Sequence, residues 1–185
     1  MSNDLQLCLA QGRQAYSDGN YTLAQEYFER ALLTLERMFG REHPDVASVL
    51  NNLGTILYRQ GKHDEALSFL GNALAIRENI YGENHPNTAE SLNNLGAVFY
   101  AQGKYIEAQL HFERALAIRE QLLGENDINI ASNLNNLGTL LYAQGKYKDA
   151  KHYLVRAVKI YETILGANHP QTIACKKDLA VVTSE

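Results

Sequence analysis

The sequence predicts an all-α fold, a solenoid of four helical hairpins closed by a ninth helix. Three observations lead there. The run Asn51-Asn52-Leu53-Gly54 returns as Asn93-Asn94-Leu95-Gly96 and as Asn135-Asn136-Leu137-Gly138, a step of 42 residues each time, and a fixed period of this order marks a repeat array. Apolar residues inside each unit fall at helical rather than strand spacing. Glycine and proline punctuate the units at matching places. Four further columns keep the step: Tyr16, Tyr58, Tyr100 and Tyr142; Gly19, Gly61, Gly103 and Gly145; Ala24, Ala66, Ala108 and Ala150; and Ala31, Ala73, Ala115 and Ala157.

The second unit shows how each hairpin is written. Pro44 suits the first helical position, where a missing N–H costs nothing. Val46, Val49, Leu50, Leu53, Ile56 and Leu57 then follow one helical face, and Gly61 stops the helix. Asp64 and Glu65 open the next helix, where negative charge suits the dipole. Ala66, Leu70, Ala73, Leu74 and Ile80 form its buried stripe, and Gly82 ends it, as Gly40, Gly124 and Gly166 end theirs. Ala66 and Ala73 let the two helices approach closely, and Gly54 provides the matching indentation; larger side chains there overpack the hairpin. The repeats therefore run over about 4–40, 44–82, 86–124 and 128–166, with a C-terminal helix over 170–183, in a single array spanning 1–185.

Composition narrows the function. Of 185 residues, 45% are hydrophobic and 21% charged, which is globular rather than disordered. A net charge of -4 with no long basic run is unsuited to binding nucleic acid through phosphates. No stretch approaches the ~20 apolar residues of a membrane span, and Met1-Ser2-Asn3-Asp4 shows no signal pattern, so the expected location is cytoplasmic. Cys8 and Cys175 lack metal-ligand spacing and read as small buried hydrophobes in a reducing compartment. No phosphate loop, catalytic triad or carboxylate pair appears; neither an enzyme nor a cofactor is expected.

These residues resemble the tetratricopeptide repeat. That family places leucine and glycine together on the first helix, alanine twelve residues after the glycine, and alanine again seven later. Leu53-Gly54, Ala66 and Ala73 match, as do Leu95-Gly96, Ala108 and Ala115, and Leu137-Gly138, Ala150 and Ala157. The large residue between the alanines is present as Phe28, Leu70, Phe112 and Leu154. The usual period is about 34 residues; here each unit is longer by roughly two helical turns. The family's proline at the end of the second helix is replaced by Glu78 or Glu120. The form with Asn-Asn-Leu-Gly, Gln-Gly-Lys, Ala-Leu-Ala-Ile-Arg-Glu and Gly-x-x-His-Pro is similar to the kinesin light chain subclass. HEAT and armadillo repeats overlap in period, but the Leu-Gly, Ala, Ala spacing argues against them.

The resemblance implies a right-handed α-solenoid of four tetratricopeptide hairpins plus the ninth helix. It also implies a protein-interaction adaptor that takes a peptide or partner segment in a concave groove lined by the first helices. The family's groove positions are the pair before Leu-Gly and the residues one and four places after the glycine. They map onto Asn51, Asn52, Asn93, Asn94, Asn135 and Asn136, onto Thr55 and Thr139, and onto Tyr58, Tyr100 and Tyr142, with Tyr16 in the tyrosine column and Arg13 and Arg59 nearby. An asparagine column offers donors and acceptors to an extended backbone; the alternative is that one asparagine of each pair bonds the neighbouring repeat. The tyrosines either supply rigid contact area or pack between helices. Arg13 and Arg59 suit an acidic ligand group, whereas the lysine-rich clamp of co-chaperone members is absent.

Other recurring residues have quieter explanations. His43, His85 and His169 precede Pro44, Pro86 and Pro170, and the third link has Asp127 there. Aspartate is a strong N-cap, so the shared role is capping rather than metal binding. His63, His111 and His152 read as surface, and Glu36, Glu78, Glu120 and Glu162 as ion-pair partners. Leu179, Val181 and Val182 of the ninth helix are expected to be under-covered, because terminal repeats need a polar outer face. That supports the alternative function, a structural module whose array ends self-associate into a homo-oligomer or stack on another domain.

Overall fold

The structure is a computed structural model that describes residues 3–184. Among those residues it holds nine helices and no strands: α1 (Asn3–Ser17), α2 (Tyr21–Phe39), α3 (Pro44–Arg59), α4 (His63–Tyr81), α5 (Pro86–Ala101), α6 (Tyr105–Leu122), α7 (Ile128–Ala143), α8 (Tyr147–Leu165) and α9 (Pro170–Thr183). They pair as four antiparallel hairpins, an all-α repeat solenoid. The helices group into two compact units, the chain dividing between Glu83 and Asn84. In the first, α2 packs on α3 and joins the hairpins α1–α2 and α3–α4; in the second, α6 packs on α7, and α9 lies on α8.

The helix starts are set by local chemistry. Nδ1 of His43 accepts from the Asp45 N–H at 3.2 Å, Nδ1 of His85 from Asn87 at 3.1 Å and Nδ1 of His169 from Gln171 at 3.3 Å. Oδ1 of Asp127 takes the same place at 2.7 Å from the Asn129 N–H. The histidines are therefore N-caps that satisfy orphan donors, as the substitution by aspartate suggested. At the turn between α3 and α4, Gly61 has φ +78° and its N–H donates to the Tyr58 carbonyl, while Lys62 donates to Leu57, a glycine-dependent closure of the helix end. The second helix of the third repeat ends differently from the other second helices. Here α6 stops at Leu122, with Leu123 extended as its C-cap, and Gly124 is not left-handed; among the second helices the expected glycine stop holds at Gly40, Gly82 and Gly166.

The hairpins are held by a knob in a notch. Gly54, Gly96 and Gly138 are buried. A Cβ built on Gly54 would lie 2.5 Å from Leu70 Cγ, one on Gly96 2.7 Å from the Phe112 ring, and one on Gly138 2.5 Å from Leu154 Cγ. The indentation therefore receives the large residue between the two alanines, and the alanines flank it, all buried. Cys8 and Cys175 are buried core residues, and burial pushes the Cys175 thiol up to about 12, which keeps it neutral and unreactive.

Helix α9 copies a first helix except where a second helix would cover it. Lys176 stands in the column of Leu50, Leu92 and Leu134, Ala180 in that of the notch glycines, and Thr183 in that of Leu57, Phe99 and Leu141. Lys176 pairs with Glu162 of α8 at 2.5 Å. Of the three residues expected to lack cover, Val182 is buried in the core, Leu179 packs partly against it, and only Val181 is exposed. The outer face of α9 is thus largely polar. Glu120 and Arg156 form a further ion pair at 2.8 Å between α6 and α8.

Candidate functional site

The first helices α1, α3, α5 and α7 carry every residue singled out as a groove position. Their sequence forces a conflict: the apolar stripe must face the second helix, yet two asparagines interrupt it. The structure resolves the conflict differently at each repeat. Asn51 is buried, 2% exposed. Asn52, Asn93, Asn94, Asn135 and Asn136 are half-buried.

In the second unit the asparagines form one connected network. Oδ1 of Asn93 on α5 accepts from Nδ2 of Asn133 at 3.0 Å and from Nδ2 of Asn136 at 2.9 Å, both on α7. Asn133 in turn accepts at Oδ1 from the guanidinium of Arg119 on α6, and the same Arg119 Nη1 donates to the Asn129 carbonyl at 3.0 Å. Arg119 is 6% exposed and Asn133 is fully buried. Burial pulls the Arg119 pKa down from its ordinary value, opposed by the charges of Glu90 and Asp127. Asn93, through its oxygen, and Asn136, through its amide, thus bond between neighbouring repeats. Arg119 and Asn133 were not singled out from sequence. The signal was a polar side chain at each of two buried columns, Leu35, Arg77, Arg119 and Tyr161, and Val49, Ser91, Asn133 and Cys175.

The ladder does not continue to α9. Counting 42 residues on from Asn133 and Asn136 gives Cys175 and Asp178, neither of which offers an amide. The Oδ1 of Asn135 is buried without a hydrogen-bond partner, and burial pushes the Asp178 carboxyl above its ordinary 3.8. Asp178→Asn is therefore expected to stabilise the protein by about 1 kcal/mol at neutral pH by restoring an amide donor. The sign with pH follows from the raised pKa. The penalty for ionising Asp178 is absent below its unfolded value and grows as pH rises through the folded one. Thermal melts of wild type and variant should then converge at acid pH; a variant gain of the same size at all pH would contradict this account.

The tyrosine column makes contacts within its own hairpins. Each ring meets the ring that opens the second helix of its own hairpin: Tyr16 with Tyr21 at 5.6 Å, Tyr58 with His63 at 5.9 Å, Tyr100 with Tyr105 at 5.7 Å, and Tyr142 with Tyr147 at 5.5 Å between centroids. The tyrosines are half-buried. His63 and His111 are not free surface residues: His63 is partly buried beside Tyr58, and His111 lies 5.1 Å from Phe99 with Nδ1 2.8 Å from the Glu107 carbonyl. Thr55 and Thr139 donate their hydroxyls back to the Asn51 and Asn135 carbonyls at 2.9 and 3.0 Å, so each offers only its oxygen lone pairs.

In the first unit the arginines stand apart. The neighbouring Tyr16 hydroxyl, with Tyr21 and Tyr58, raises the Arg59 pKa against the effect of burial. Its guanidinium carbon lies 5.9 Å from the Tyr58 ring centroid. Both Arg13 and Arg59 are exposed. No group of histidine, cysteine and acidic residues among the described residues is arranged to hold a metal, and no described helix is long and apolar enough to cross a membrane.

Known structures share this fold. A Podosopora anserina protein described as a kinesin light chain with nearly identical TPR-like repeats superimposes with a TM-score of 0.80 at 22% identity, covering 100% of this chain and 88% of that one. BtubC (BKLC) from P. vanneervenii gives 0.79 at 24%, covering 94% and 69%. A Rap protein complexed with competence and sporulation factor gives 0.82 at 20%, covering 97% of this chain and 48% of its own. No curated protein matches. The tetratricopeptide repeat model matches residues 6–70, 45–121, 102–163 and 129–185 in overlapping registers, which span nearly the whole chain. By that match, together with the glycine notches and the alanine spacing, the chain belongs to the tetratricopeptide repeat family.

Proposed function

We propose that this chain is a protein-interaction module that holds an extended peptide segment against the first-helix face of its hairpins, without catalysis. One observation carries the reading. Arg59 is exposed, lies beside tyrosine rings, and has no carboxylate partner among the described residues. An unpaired guanidinium is a recognition group for a planar anion, and Arg13 on the neighbouring first helix adds a second positive charge. Such a face takes a segment carrying Asp or Glu side chains. The Rap relative, solved with a competence and sporulation factor, is a protein of this fold in complex with another molecule.

The test uses random peptides displayed on phage and selected on the intact chain. Selected peptides are expected to be enriched in acidic residues. The double variant Arg13→Glu, Arg59→Glu is expected to lose at least about tenfold in affinity for them, since reversed charge repels the same group. Both sites are exposed, so melting should move little. Undiminished binding by the double variant would overturn the reading.

The second reading, self-association through the terminal helix, draws on exposed Ile173 and Val181 of α9. Lys176, Ala180 and Thr183 on the same helix oppose it, because they replace the leucines and the notch glycine of a hairpin face. Concentration-independent sedimentation of a monomer would rule it out.

A further inference from the structure

We infer that Arg119 is a positioning residue: acting through Asn133, it fixes the Asn93 carboxamide with its NH2 outward, so that this part of the first-helix face is a hydrogen-bond donor site for carbonyl or carboxylate oxygens of a bound peptide. The inference rests on the peptide-binding reading for its ligand, and on hydrogen-bond chemistry alone for the orientation.

The orientation follows step by step. A guanidinium has donors and no acceptor. Arg119 Nη1 meets Asn133, so the Asn133 atom facing it is the oxygen. The Asn133 NH2 must then face the other way, and what lies there is Asn93, 3.0 Å off. Two amide nitrogens do not bond one another, so Asn93 presents its oxygen. Asn136 brings a second N–H to that oxygen at 2.9 Å, which occupies both lone pairs. An amide whose O and N are interchangeable in isolation is thereby locked. What remains of Asn93 is its NH2, two donors on a half-buried residue. That nitrogen has no partner among the described residues and is not among the buried unpartnered atoms, so it reaches solvent.

The other members of the column show that this is specific to Asn93. Asn51 is buried, and Asn135 lacks amides at the two corresponding positions, where Cys175 and Asp178 stand. Charge around the relay is mixed, with Glu90 and Asp127 near Arg119, so the relay starts from a cation held partly neutralised in the interior. A neutral residue at 119 would leave Asn133 free to rotate by half a turn and Asn93 held by Asn136 alone.

Side-chain amide exchange in solution tests the orientation without a ligand. The Nδ2 protons of Asn133 and Asn136 are expected to exchange slowly and those of Asn93 quickly. The variant Arg119→Met, Asn133→Val, with an apolar pair in place of both partners and valine as at position 49, is expected to fold and to shift the Asn93 amide resonances. Protected Asn93 protons, or Asn93 resonances unmoved in that variant, would overturn the positioning role. The ligand half is tested with Asn93→Asp, which keeps an oxygen for Asn133 and Asn136 but replaces the outward NH2 by a second oxygen. Peptides selected from the displayed library on wild type are expected to bind it at least about tenfold more weakly. Equal binding would overturn the donor site while leaving the peptide-binding reading intact; an absence of any peptide binding to wild type would overturn both the donor site and that reading, with the orientation still judged by exchange.

Discussion

Phe112→Ala is expected to destabilise the unit that begins at Asn84 by about 3–5 kcal/mol, the usual cost of emptying a buried aromatic site. Phe112 is 2% exposed and its ring fills the notch at Gly96, between Ala108 and Ala115, both fully buried. The notch makes a second expectation that packing elsewhere in the core would not. A Cβ at position 96 would lie 2.7 Å from two ring carbons, and the ring is too rigid to yield. Gly96→Ala should therefore cost about 1–3 kcal/mol through overpacking, although alanine is the better helix former. In Phe112→Ala the same added methyl meets a cavity. The two changes should then be far from additive, with the double variant less destabilised than the sum. Denaturant melts of the four proteins measure this; additive losses would show that the two side chains do not share the space.

Arg119→Met is the second large effect. It leaves the buried Asn133 Oδ1 without its guanidinium donor, which also reaches the Asn129 carbonyl. A buried acceptor left unsatisfied costs about 1–3 kcal/mol, and a loss of that size is expected. Adding Asn133→Val should recover part of it, because the valine removes the orphaned acceptor and fits a column that already holds Val49. Chemical denaturation of the single and double variants decides this. A double variant less stable than Arg119→Met alone would mean that Asn133 supports α5 and α7 independently of the arginine.

The hairpins were legible because a period fixes many weak signals at once. A single Leu-Gly pair says little, but three in register, each followed by alanines at constant spacing, specify two helices and a close approach between them. Capping by His43, His85, His169 and Asp127 was legible for the same reason, since one column tolerates either acceptor. The candidate site was less so. The asparagine pairs are alike in sequence, yet Asn51, Asn93 and Asn135 have three different environments. The difference lies in what stands some 40 residues on: the Asn93 oxygen meets Asn133 and Asn136, whereas the corresponding positions beyond Asn135 hold Cys175 and Asp178. Partners at that separation become visible only when the hairpins are stacked. Arg119 was hidden by its own composition, because an arginine in a run of Ala-Ile-Arg-Glu reads as the solvated edge of a helix and is in fact buried. Gly124 misled in the opposite direction: its column promised a left-handed stop, but the link to Asp127, which lacks the proline, lets α6 end earlier through Leu123.

The central claim is that the first-helix face is the binding surface. A peptide selected from the displayed library, titrated into isotope-labelled protein and followed by backbone and side-chain amide shifts, tests it most directly. The account predicts that perturbed residues cluster on first helices, at Arg59, Tyr58 and Asn52 of α3 or at Asn93, Asn94 and Tyr100 of α5. Shifts confined to the outer faces of the second helices, for example around exposed Ile106 and Leu110 of α6, would contradict it.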